Sequence, residues 1–164
     1  MSSDDSSQPP HRSRQWETGL LLLVMDTGTW GRAMLKRGAA LVGRHEMDEQ
    51  EDAVSKGCTQ GTDLIRLRRH VALWEVDLLR KEVQERMGVL NASPAVKEAL
   101  RVMGGPAALH VELGSGPTPD ISLPDDEWAA QLSDACELPM RACGDLCRQL
   151  ANLMELLEYP ERFL

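Results

Sequence analysis

Residues 62–92 carry apolar side chains on two sides of one helix, and this constrains the chain more than any other feature. Leu64, Leu67, Val71, Trp74 and Leu78 recur at 3-4-3-4 spacing, the spacing of a coiled-coil seam. Ile65, Ala72, Val76, Leu79, Val83, Met87 and Leu90 form a second, longer series. At about 100° per residue the two series lie on separate faces. Such a helix needs two neighbours. Either it is the centre of a bundle, or it shows one face to another protein. Thr62 is its expected N-cap, and Asp63 complements the helix dipole in the first turn.

Other segments offer partners within the chain. A first helix is expected over 15–44, with Trp16, Leu20, Leu23, Thr27, Trp30, Met34 and Leu41 on one stripe. Gly19, Gly28, Gly31, Gly38 and Gly43 interrupt it. Each glycine costs about 1 kcal/mol against alanine inside a helix. A break is therefore expected near Thr27 and Gly28, with close approach to a neighbouring helix as compensation. Residues 45–61 are acidic and unpatterned and read as an exposed linker. Ser93 and Pro94 suit the N-cap and first position of a short third helix, and Gly104-Gly105 suits its end.

From 106 to 123 the pattern changes. Leu109, Val111 and Leu113 alternate with polar residues ahead of a turn cluster at 114–117. This predicts a short β-hairpin or an extended loop. The last helix opens on Pro124 followed by Asp125, Asp126 and Glu127. Cys136, Met140, Cys143, Cys147, Leu150, Met154 and Leu157 then keep 4-3 spacing. Pro139 predicts a kink or a fresh start, and Pro160 an end. The expected fold class is all-α: a small bundle of about four helices, one domain over 15–164 behind a disordered tail at 1–14. That tail is Ser, Asp, Pro and Arg with nothing to bury.

Composition narrows the function classes. The 164 residues, 42% of them hydrophobic, suffice for one core. Aromatic residues are 4%, which favours helices packed through Leu, Met, Val and Ala over a β-fold. The net charge of -8 repels phosphate backbones, so nucleic acid is not an expected partner. The apolar run at 19–25 is far shorter than the ~20 residues of a membrane span and lacks the cleavage site of a secretory leader. Of the four cysteines, Cys143 and Cys147 stand one helical turn apart, where diverging side chains make a poor disulfide. Reduced thiols fit a cytoplasmic or nuclear protein. A secreted cytokine-like bundle with paired cysteines is an alternative.

Several short motifs bear on chemistry. Asp26-Thr27-Gly28 follows an aliphatic run, as in aspartic proteases, but that reaction needs two carboxylates sharing a proton. Leu41-Val42-Gly43-Arg44 comes too soon to be the second aliphatic-Gly segment. Cys136, Cys143 and Cys147 lack the paired spacings of a zinc site, and no histidine stands near to make a thiolate nucleophile. His45-Glu46-Met47-Asp48-Glu49 has no histidine at its fifth position, which a zinc-protease helix requires. Arg66, Arg68, Arg69 and His70 spread around their helix as a solvated basic cluster does. Asn91-Ala92-Ser93 is a glycosylation sequon, without meaning in an intracellular chain. No cofactor, metal or small-molecule substrate is implied.

The segment from Met140 to Cys147 resembles the BH3 segment of Bcl-2 proteins. Cys136, Met140, Cys143 and Cys147 stand at the four apolar anchors and Gly144-Asp145 at the small-acidic pair. Thr29-Trp30-Gly31-Arg32 is similar to the Asn-Trp-Gly-Arg signature of that family. The two segments stand in reverse order relative to the family, and Pro139 falls inside the second. The resemblance implies a Bcl-2-like bundle as one alternative.

The expected function is that of a non-enzymatic helical interaction subunit, an adaptor or scaffold in an intracellular hetero-complex, with Leu64, Leu67, Val71, Trp74 and Leu78 as the partner interface. The rival class is an enzyme with a hydrolase-type site assembled from scattered residues.

Overall fold

A computed structural model describes the backbone of residues 15–54, 59–114 and 118–158, and the side chains of these outside 44–63. The expected tail at 1–14, Cys58 and Pro160 lie outside the described residues. Four helices form an all-α bundle: α1 (Gln15–Val54), α2 (Thr59–Ala92), α3 (Pro94–Met103) and α4 (Asp125–Glu158). Among the described residues there is no strand. No described helix is long and apolar enough to cross a membrane.

Each of the four helices packs against the other three, and the one that buries the most side chains is α4. Its cysteine stripe supplies only part of its buried surface. Trp128, Leu132, Pro139, Ala142, Leu146 and Leu153 are buried beside Cys136, Cys143 and Leu150. The longer series of α2 supplies the facing layer, with Ala72, Val76, Leu79, Val83 and Leu90 all buried. α4 also runs through Pro139 without a fresh start. The proline ring is fully buried, and packing there offsets the lost backbone donor.

The expected break in α1 does not occur: the helix is continuous from Gln15 to Val54. The glycines explain why. A Cβ on Gly31 would lie 2.8 Å from Cys147 Sγ and 3.4 Å from Cys143 Sγ. A Cβ on Gly38 would collide with the Met140 side chain. Gly31 and Gly38, both buried, thus let α1 lie close against α4. Packing along that seam outweighs the helix propensity that the glycines lose. The expected linker at 45–61 also shrinks, because helical backbone reaches Val54 and resumes at Thr59, ahead of Thr62. Acidic residues without an apolar stripe can extend a helix already nucleated by packing.

The third helix begins and ends where its signals stand. Ser93 is extended at the N-cap, Pro94 is first, and Gly104 adopts φ 63 at the C-cap, where its N–H reaches the last turn. Beyond it, Leu109 and Val111 are buried along an extended loop. A hairpin is unnecessary because helix side chains satisfy the loop backbone. Asn91 donates to the Leu109 carbonyl (3.0 Å) and accepts from its N–H (2.8 Å). Gln149 does the same for His110. Arg69 donates to the carbonyls of Ile121 (3.0 Å) and Leu123 (2.7 Å). With these groups paired, a strand partner has little left to add.

The packing sets opposite expectations for two glycines. Gly88 has nothing within 4 Å of an added Cβ, so Gly88→Ala should stabilise by about 0.5–1 kcal/mol. Gly31→Ala should destabilise by about 1–3 kcal/mol, because short cysteine side chains cannot swing far away. Urea titrations of the two variants check the signs; a stabilising Gly31→Ala would mean that α1 and α4 do not pack closely.

Candidate functional site

The outward face of α2 carries the longest regular series of exposed large apolar side chains among the described residues. Leu64 is 41% exposed, Leu67 59%, Val71 45% and Trp74 62%, while Leu78 is half-buried. The five span about 21 Å of helix at 1.5 Å per residue. Lys81, Glu82 and Glu85 close the face at its C-terminal end. Other exposed apolar residues are less extended: Leu21, Leu22 and Met25 occupy little more than one turn of α1.

A groove of about 240 Å³ runs beside the face, between α1 and α2. Arg37, Ala40 and Leu41 form one wall, and Trp74, Glu75, Leu78 and Leu79 the other. Arg37 is ion-paired to Glu82 across the same two helices, which fixes its mouth. The face stays open because α1 turns elsewhere. Leu20, Thr27, Met34 and Leu41 are buried, and Trp16 and Trp30 pack against the core. Arg86 lies 5.1 Å over the Trp30 ring and 2.7 Å from Asp26, which pins that turn of α1 to α2 far from Trp74.

A second candidate is the thiol pair of α4. Cys136, Cys143 and Cys147 are free, the first two buried and the third partly exposed. The Cys143 and Cys147 sulfurs each lie 3.7 Å from an α1 carbonyl, of Gly31 and Thr27 respectively. Cys143 has a second acceptor in the Cys147 sulfur. That hydrogen bond pulls the Cys147 thiol down to about 7; burial opposes it, and the charges of Arg32 and Arg86 add to it. The same hydrogen bond, with burial, drives Cys143 far upward. Burial, then the charge of Glu75, pushes Cys136 up to about 11. No sequence signal marks Arg32 and Arg86 as neighbours of Cys147, since one comes from α1 and the other from α2, and both meet the thiol only through tertiary packing.

The remaining motifs are placed as follows. Asp26 is ion-paired to Arg86 on a helix, and Thr27 is buried, which is not the strand-borne setting of a protease carboxylate. The basic cluster divides. Arg69 is buried, bonded to Asp125 at 2.6 Å and stacked 5.0 Å over Trp128, whereas Arg66 and His70 are exposed. Asn91 holds the loop rather than facing outward. The side chains of His45 to Glu49 lie outside the described residues. Among the described residues no three His, Cys, Asp or Glu side chains converge as metal ligands.

The two segments that resemble Bcl-2 proteins meet. Gly31, from the Thr29–Arg32 stretch, is the residue on which Cys143 and Cys147 rest. The anchors Cys136 and Cys143 point into the bundle and are fully buried, so this helix is not presented as a ligand for another protein's groove. No family model, curated protein or solved structure matches the chain.

The thiol environment has a measurable consequence. Among the three described cysteines, iodoacetamide should modify Cys147 first in the folded protein, with a rate that rises as pH passes through about 7. Arg86→Gln should move that rise to higher pH. Peptide mass spectrometry of timed samples checks this; faster labelling of Cys136 would refute it.

Proposed function

We propose that this chain is a non-enzymatic helical interaction subunit, an adaptor or scaffold that joins a complex with unlike protein partners inside the cell. The observation that carries the reading is the uncovered heptad face of α2. Water-exposed Leu67 and Trp74 at 59% and 62% contribute nothing to the core of the free chain. Covering such side chains stabilises a complex by on the order of 1–2 kcal/mol each. Tryptophan is the residue type most enriched at interface hot spots. Spacing of 3-4-3-4 suits a partner helix, whose own apolar ridge fits between successive turns. The groove along Ala40, Leu41 and Leu78 extends the seat sideways, and its charged rim of Arg37, Glu75 and Glu82 gives orientation.

Charged substitution separates interface from core. Leu67→Asp combined with Trp74→Asp should keep the helical circular dichroism and melt within about 3 °C of the parent, since surface changes are small in energy. In extracts of the native source, the parent chain should elute as part of a larger species and the variant as the free folded chain. An unfolded variant, or one that stays in the larger species, contradicts the reading.

A further inference from the structure

We infer that the α2 face closes on a second copy of itself, with the two helices antiparallel, when no partner helix occupies it. This rests on the docking reading above and names the occupant of the same face in the free protein. In heptad terms, Leu64, Val71 and Leu78 take the a positions and Leu67 and Trp74 the d positions. Antiparallel helices pair a with d layers. Placing the two-fold axis midway between Val71 and Trp74 sets Trp74 of each copy against Val71 of the other. Leu67 then meets Leu78, again twice. The largest side chain of the face is thus opposite the smallest, and the outer layers are leucine against leucine.

The flanks of the seam agree with the same register. On one side stand His70 and Asp77, both exposed; on the other stand Arg68 and Glu75, both half-buried. Antiparallel pairing puts each flank against the same flank of the other copy. His70 then faces Asp77 and Arg68 faces Glu75, so all four cross-pairs set a carboxylate against a guanidinium or an imidazole. A parallel pair would instead stack the two Trp74 rings on one another and Val71 on Val71, which leaves large layers beside small ones. Arg68 and Glu75 already interact within their own chain, so their pairing across the seam joins an existing network; His70 and Asp77 lie in the open. At the ends, Leu64 meets the aliphatic stem of Lys81, which limits the seam to this length. An isologous interface of this size is closed and weak, with a dissociation constant on the order of 1–100 µM, so a partner helix competes with it.

Sedimentation of the full chain from about 1 to about 200 µM tests the inference. The parent should pass from monomer to dimer within that range. Asp77→Lys should weaken the dimer about tenfold, by removing at two symmetric places the carboxylate that faces His70. Adding His70→Asp to that variant should restore the dimer to within about threefold of the parent, because a carboxylate again faces a nitrogen donor across the seam. A merely adhesive apolar face would not respond to the exchange, so a dimer indifferent to both changes overturns the inference. A chain that stays monomeric at the highest concentration overturns it as well. That result leaves the docking reading standing, because the Leu67 and Trp74 double substitution decides that reading separately.

Discussion

The close seam between α1 and α4 governs the rest of the molecule. Gly31 and Gly38 let the α1 backbone settle onto Cys143, Cys147 and Met140. A helix held at that distance cannot roll, and its stripe residues Leu20, Thr27, Met34 and Leu41 are committed inward. α1 has one stripe and packs most heavily with α4. The shorter series of α2 is then left mostly in water, with only Trp74 and Leu78 reaching the groove beside α1, although Trp16 and Trp30 of α1 had the chemistry to cover it. The exposed face is therefore a consequence of the glycine seam and not of a shortage of apolar residues elsewhere.

The same seam produces the unusual thiol. Two cysteines spaced one turn apart over a glycine share a proton, and two arginines from different helices favour the charge on the outer one. Its small sulfur is what allows Gly31 to approach. Packing and reactivity have one structural origin here.

Helical periodicity makes the bundle, the two faces of α2, the boundaries of α3 and the apolar seam of α1 legible in the amino-acid sequence. It does not single out α4 as the helix that buries the most side chains. The second apolar series of α4, with Trp128, Leu132, Ala142, Leu146 and Leu153, is as regular as that of α2, yet the cysteine stripe beside it is the more conspicuous pattern. The glycines of α1 predict a break near Thr27 because propensity is local, whereas Cys143, Cys147 and Met140 arrive from the far end of the chain. Alternation alone does not decide between hairpin and loop at 106–123. The deciding groups are the amides of Asn91 and Gln149 and the guanidinium of Arg69, which no strand pattern contains. The exposure of Leu64, Leu67, Val71 and Trp74 is legible for a simpler reason: a bounded stripe that ends in Lys81, Glu82 and Glu85 does not run the length of a core seam.

A helix with one apolar face inside the protein and one in water should show both in a single experiment. Hydroxyl-radical footprinting of the folded chain at submicromolar concentration reads the two faces of α2 residue by residue. Trp74 and Leu67 should oxidise rapidly, with Trp128 and Val83 spared. Trp74 protected as strongly as Trp128 would show that the chain covers its own stripe, and would remove the basis for a docking face.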